Sequence, residues 1–281
     1  MSEKFSVACV QVNAGSDLRR NIAEAGELVR DARAAGADLI ALPENVAFLE
    51  VRGGAVRAHA RPEDQHPALS AFQDLAKETG AWLLAGSIAA RMPNGKIANR
   101  SILLDPQARI VGRYDKIHMF DVNLPSGESY RESEAFEAGD AAVVCDTPWG
   151  PLGLTVCYDL RFAALYRSLA RAGARYLTVP AAFTKVTGEA HWHVLLRARA
   201  IENGCFVFAP NQCGRHSGKH ETYGHSLIVS PWGEVLADGG GEVGFITAEV
   251  DPALVDKARG AIPALEHGKP FRPPLDEETA A

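Results

Sequence analysis

RAAGADLIALPE, residues 33–44, and ARAGARYLTVPA, residues 170–181, are one phrase written twice. Each reads as the end of a helix, a glycine at its C-cap, a buried strand and then proline. The likeness extends outward. SVACVQ from Ser6 and LTVCYD from Leu154 head the two series, and GAWLLAGS from Gly80 and GCFVFAPN from Gly204 each give glycine followed by an apolar strand. SILLDPQARIV from Ser101 and SLIVSPWGEVL from Ser226 are both strand, proline turn, strand. Such self-similarity marks an internal repeat. Each half reads β-α-β-α-β-β, and no Pro/Ser-rich linker divides them. Strands such as LIALP, WLLAG, YLTVP and FVFAP are almost wholly apolar, so both sheet faces are covered. Helices on one face and the other half's sheet on the other would supply that cover. The expected fold is therefore α/β, a four-layer α-β-β-α sandwich with pseudo-twofold symmetry, formed by residues 1–265 as one domain. Residues 266–281, EHGKPFRPPLDEETAA, are expected to be an extended C-terminal tail, because their prolines exclude helix.

The 281 residues have a net charge of −6, are 47% hydrophobic and 23% charged, and mix their charges along the chain. That is ordinary for a globular protein and gives no case for a nucleic acid or an anionic membrane as partner. No apolar run approaches the roughly 18 residues that read as a membrane span. MSEKFSVACVQVN enters a strand-like segment without the pattern of a signal peptide, so a cytoplasmic location is expected. In a reducing compartment the five cysteines would be free thiols. Cys9, Cys145 and Cys205 read as small buried hydrophobes in strands; Cys213 is ambiguous. No nucleotide-binding glycine motif occurs. His191 and His193 in HWH are two apart and would point different ways on a helix, so neither a metal nor another cofactor is expected.

Ligands of α/β sheets collect at the carboxyl ends of strands. Three reactive side chains fall there: Glu44 after ADLIALP, Lys116 after GRYD and Cys157 after LGLTV. Cys157 also stands where a strand-like run gives way, from Arg161 onward, to a helix with Phe162, Leu165, Tyr166 and Leu169 on one face. A free thiol has a pKa of about 8.5, and a helix N-terminus and a nearby ammonium would both lower it. Glu44 would then serve as general base, while the Lys116 ammonium and the Tyr158 backbone N–H hold an oxyanion. Each residue also has a plainer reading: Glu44 as a helix N-terminal acid, Lys116 as a surface lysine and Cys157 as core.

The stretches LPEN, YDKIHMFD and VCYDLRF resemble the motifs of the nitrilase superfamily, the carbon–nitrogen hydrolases, and the likeness runs from VACVQ to GFITAEVD. It implies an amidase with a Glu44–Lys116–Cys157 triad and a second glutamate at Glu132 in YRESEAFEAGD. NQCGRH and YGHS are most similar to the deaminated glutathione amidase branch, which implies hydrolysis of that amide to α-ketoglutarate and Cys-Gly. An ω-amidase acting on α-ketoglutaramate-type monoamides is the alternative, and a non-catalytic scaffold on the same fold is the rival of another class. A substrate with two carboxylates calls for cationic or N–H donors. Arg215, His216, Lys219 and Lys185 are loop candidates; Tyr158, Phe183 and Thr184 are expected to line the pocket, and Arg161 to brace the active-site turn. The resemblance further implies a homodimer or larger homo-oligomer. The loop 121–133 is a candidate lid.

Overall fold

The computed structural model describes residues 3–50, 54–125, 127–216 and 220–272. The first half runs β1 (Phe5–Gln11), α1 (Leu18–Ala34), β2 (Leu39–Ala41), α2 (Ala55–His59), α3 (Pro67–Thr79), β3 (Trp82–Leu84), β4 (Ile88–Arg91), β5 (Ile97–Leu104) and β6 (Ile110–Asp115). A ribbon of β7 (Asp121–Asn123) and β8 (Ser129–Arg131) follows. Next come β9 (Val143–Cys145), β10 (Leu152–Leu154), α4 (Ala163–Arg171), β11 (Tyr176–Thr178), α5 (Lys185–Thr187), α6 (His193–Asn203) and β12 (Phe206–Ala209). The chain closes with β13 (Cys213–Arg215), β14 (Glu221–Tyr223), β15 (Leu227–Val229), β16 (Val235–Asp238), β17 (Gly244–Val250), α7 (Ala253–Ala261) and α8 (Ala264–His267).

The repeat is visible in the pairing. β1, β2 and β3 are parallel and β5 joins β3 antiparallel, with β4 and β6 paired to β5. β10, β11 and β12 are likewise parallel and are followed by antiparallel β15 and β16. Each parallel trio is bordered on its far side by one antiparallel strand, β17 on β1 and β9 on β10. Because β17 comes from the end of the chain, the first sheet is completed by the second half.

Alternation along β1 sorts the core. Phe5, Val7 and Cys9 cluster with Leu154, Tyr176 and Phe208 of the second sheet, whereas Ala8 and Val10 cluster with Val29 of α1 and Phe72 of α3. Phe5 stacks on Trp149 at 4.3 Å and meets Tyr176 edge-on at 5.4 Å. On β10, Gly153 faces α4 so closely that a Cβ there would lie 3.2 Å from Leu169. Contacts thus run helix pair, sheet, sheet, helix pair. The helices are set by local signals: Asp17 Oδ1 accepts the Arg19 and Arg20 N–H groups at 3.0 and 3.1 Å to start α1. Pro67 opens α3, and Gly80, at φ 64°, ends it.

The tail begins differently from its expectation. α8 carries helix to His267, two residues into the segment expected to be extended. Pro263 sits at its N-cap and Pro270 beyond its end, so neither proline interrupts it. Residues 273–281 lie outside the described residues.

Candidate active site

Glu44, Lys116 and Cys157 each follow a strand of one of the two parallel trios or its hairpin, and all three are buried. Backbone geometry near Glu44 depends on Gly86, at φ 58°, where a Cβ would lie 2.0 Å from the Pro43 carbonyl. Only glycine lets the segment after β3 pass so close beneath the chain that delivers Glu44.

Four side chains interlock. Lys116 Nζ donates to Glu44 Oε1 at 2.9 Å and to Glu132 Oε1 and Oε2 at 2.9 and 2.8 Å. Asn99 bridges the two acids, its Nδ2 lying 2.9 Å from Glu44 Oε1 and 3.0 Å from Glu132 Oε1. Glu44 Oε2 accepts the Ala182 N–H at 2.9 Å, and Glu132 Oε2 accepts the Phe120 N–H at 2.7 Å. Every carboxylate oxygen of the pair is therefore held, as buried charge requires. Burial works against the Lys116 ammonium, but Glu132, Glu44 and Cys157 outweigh it and hold its pKa well above the usual lysine value. Lys116 is a fixed cation.

The Cys157 thiol is shifted opposite to expectation. Burial and then the Glu44 carboxylate push its pKa well above the ordinary value; Lys116 pulls the other way and loses. The helix-terminus argument fails too: Cys157 opens a five-residue 3₁₀ turn, Cys157–Arg161, and α4 starts only at Ala163. The cause is Asp159. Its Oδ2 accepts the Val156 N–H at 2.9 Å and the Tyr114 hydroxyl at 2.7 Å, while Oδ1 accepts the His118 N–H at 3.1 Å. One buried carboxylate thus ties the turn to the segment on either side of Lys116. Cys157 itself sits at φ 47°, and its N–H is fixed to the Pro180 carbonyl at 2.9 Å. A left-handed non-glycine residue costs about 1–3 kcal/mol.

A cavity of about 770 Å³ opens over this cluster, lined by Glu44, Lys116, Glu132 and Cys157 together with Tyr158, Phe183 and Thr184. Arg215 is not brought there: it is exposed on β13, outside the cavity lining. Lys185 is also exposed and pairs with Glu221 at 2.9 Å, and His216 is bound to the Ala14 carbonyl and Thr222, each at 2.7 Å. Lys219 lies outside the described residues. Cationic and polar groups on the wall come instead from Arg57, Arg131, Tyr130 and His220. Arg161 lies over the Tyr158 and Phe183 rings at 5.8 and 5.4 Å. Asn99 and Asp159 escaped the sequence reading. The available signals were a polar residue amid the buried β5 run and an acid two residues after a strand-end cysteine.

Residues 6–260 match the family described as Carbon-nitrogen hydrolase. A deaminated glutathione amidase of Yersinia enterocolitica is 39% identical over 94% of this chain and 93% of its own length. The C. elegans NitFhit crystal structure superposes with a TM-score of 0.89 at 34% identity, covering 95% of this chain and 66% of that longer one. An amidase mutant from Nesterenkonia sp. AN1, with the acetamide moiety of fluoroacetamide added covalently at its active-site cysteine, superposes with a TM-score of 0.78 at 26% identity, over 92% of this chain and 94% of that one.

Proposed function

The chain belongs to the carbon–nitrogen hydrolase family and is an amidase; from that premise we propose that it hydrolyses deaminated glutathione through a thioester on Cys157. The thiol proton passes to Glu44 as Sγ attacks the amide carbon. The tetrahedral oxyanion takes hydrogen bonds from Lys116 Nζ and the Tyr158 N–H. Glu44 returns the proton to the departing nitrogen of Cys-Gly. It then draws a proton from water, whose oxygen attacks the thioester and releases α-ketoglutarate, and the thiol is restored. Glu132 keeps Lys116 charged and in place.

The observation that carries this reading is geometric: the Cys157 thiol and Glu44 line one cavity, and the Glu44 oxygens are pinned by Lys116, Asn99 and the Ala182 N–H. A thiol held above its ordinary pKa needs a base at the moment of attack, and Glu44 is that base. The cavity, at about 770 Å³, suits a substrate of tripeptide size, and Arg57 and Arg131 offer cationic partners for its carboxylates. The covalent adduct at the active-site cysteine of the Nesterenkonia amidase supports the thiol as nucleophile.

The test is kcat/KM for deaminated glutathione against α-ketoglutaramate, with α-ketoglutarate as the common product. A preference for deaminated glutathione of at least about tenfold, or about 1.4 kcal/mol in the barrier, is expected. The opposite preference would make the enzyme an ω-amidase with the same chemistry. The proposal includes a homo-oligomer, supported by Val194, Ile201 and Trp232 standing exposed. It also includes a cytoplasmic location, supported by five free cysteines. No helix among the described residues is long and apolar enough to cross a membrane.

A further inference from the structure

Away from the cavity, two histidines and an aspartate from three separate segments meet. His193 is the first residue of α6, His225 lies between β14 and β15, and Asp238 ends β16. His193 Nε2 is 3.0 Å from Asp238 Oδ2, and His225 Nδ1 is 2.9 Å from Asp238 Oδ1. The three ligand-type atoms all lie within 4.8 Å of one another. We propose that these residues bind one divalent ion of the zinc class.

The donor set gives the class. Two imidazole nitrogens and one carboxylate oxygen suit Zn²⁺, Co²⁺ or Ni²⁺, whereas Ca²⁺ and Mg²⁺ want oxygen alone. Bonds of about 2.0–2.2 Å to a tetrahedral ion would hold the ligand atoms about 3.3 Å apart. The two histidines now meet different oxygens of Asp238, at 3.0 and 2.9 Å. One atom from each residue lies within 4.8 Å of the others, so side-chain rotations that close at most about 1.5 Å would bring one oxygen and both nitrogens onto an ion. All three residues are partly accessible, which leaves the fourth position to water.

Outer contacts fix the places of the three residues, and one of them is a hydrogen bond to the ligating carboxylate itself. Asp238 Oδ1 also accepts the Gly240 N–H at 2.9 Å. The His225 carbonyl accepts the Trp192 indole N–H at 2.7 Å, and its own N–H donates to the Gly240 carbonyl at 2.6 Å. The Tyr223 ring stacks on His225 at 4.4 Å and meets His193 edge-on at 5.9 Å. Trp192 and Tyr223 both reach Phe183, a cavity-lining residue: Trp192 by ring contact at 4.9 Å, Tyr223 by donating its N–H to the Phe183 carbonyl at 2.9 Å. The ion would brace the cavity wall from behind and take no part in the chemistry.

The experiment titrates tag-free, chelator-treated Cys157→Ala protein with Co²⁺, then displaces the cobalt with Zn²⁺. Cys157 is replaced so that the cavity thiol cannot compete as ligand. Expected are one equivalent of cobalt with an absorption spectrum of nitrogen and oxygen ligation free of thiolate bands, stoichiometric displacement by zinc, and a higher Tm. His193→Gln, at a partly exposed position, should weaken binding by more than the 10–100-fold typical of losing an outer contact, with the metal-free protein still folding cooperatively. Asp238→Asn should do the same. No saturable uptake, a thiolate spectrum, or uptake that His193→Gln leaves intact overturns the proposal.

Discussion

Cys157 is held where a side chain rarely sits, at φ 47°, by a hydrogen bond to Pro180 on one side and the Asp159 turn on the other. The residues doing the holding decide whether the thiol, Glu44 and Lys116 meet. Lys116→Met is expected to lower kcat by about 10² to 10³, as loss of an oxyanion donor does. It should also destabilise the fold by about 3–5 kcal/mol, because Glu44 and Glu132 would be left buried and unpaired. Steady-state kinetics and denaturant unfolding check the two parts separately. Asn99→Ala removes the bridge between the acids. It should cut kcat by about 10² through misplacement while leaving KM nearly unchanged; an effect confined to KM would contradict a positioning role. Glu44, Lys116 and Cys157 were legible because strand ends advertise them. Asn99 and Asp159 were not, since their importance lies in partners 55 and 45 residues away in the chain.

At the level of elements, α3 carries a pH-sensitive start. His66 is its N-cap, and Nδ1 accepts the Ala68 N–H at 3.3 Å, which requires a neutral ring. Burial, then Arg61, depress the His66 pKa to about 4. Burial, followed by His216, likewise takes His220 to about 4. A histidine depressed in the native state is protonated first in the unfolded chain, so its contribution is intact above about pH 6.5 and is lost as pH falls toward 4. From about pH 7.5 to 5, His66 alone should remove about 2 kcal/mol. Urea unfolding at the two pH values should show this loss, and His66→Asn, which keeps a cap acceptor without titrating, should make it smaller. An unchanged slope would contradict the assignment. The sequence had placed a helix from Arg161. Asp159 caps the turn locally at Val156, but its other partners, Tyr114 and His118, are 45 and 41 residues away, so the intervening 3₁₀ turn and the raised thiol pKa lay beyond local pattern.

For the whole molecule, the repeat read from two twelve-residue phrases recurs as two parallel trios with matching antiparallel borders. What the repeat alone did not reveal is that β17 crosses back to complete the first sheet along all of β1. The halves are therefore not separable domains. A chain ending before Gly244 should be insoluble or molten, and the two halves expressed apart should not fold; two cooperative unfolding transitions from separate halves would refute this. The exposed side chains of Ile201 and Trp232 form part of the surface around a second cavity. Replacing both with glutamate should shift the sedimentation coefficient to that of a monomer if this face joins subunits.

The most direct test of a Cys157 thioester is peptide mass mapping after acid quench of the enzyme mixed with an activated aryl ester of glutarate, whose fast acylation makes the acyl-enzyme accumulate. The account predicts a burst of one phenolate per subunit and a glutaryl group on the Cys157 peptide, with both lost in Cys157→Ala. A glutaryl group on another residue, or amide turnover that survives in Cys157→Ala, would contradict it.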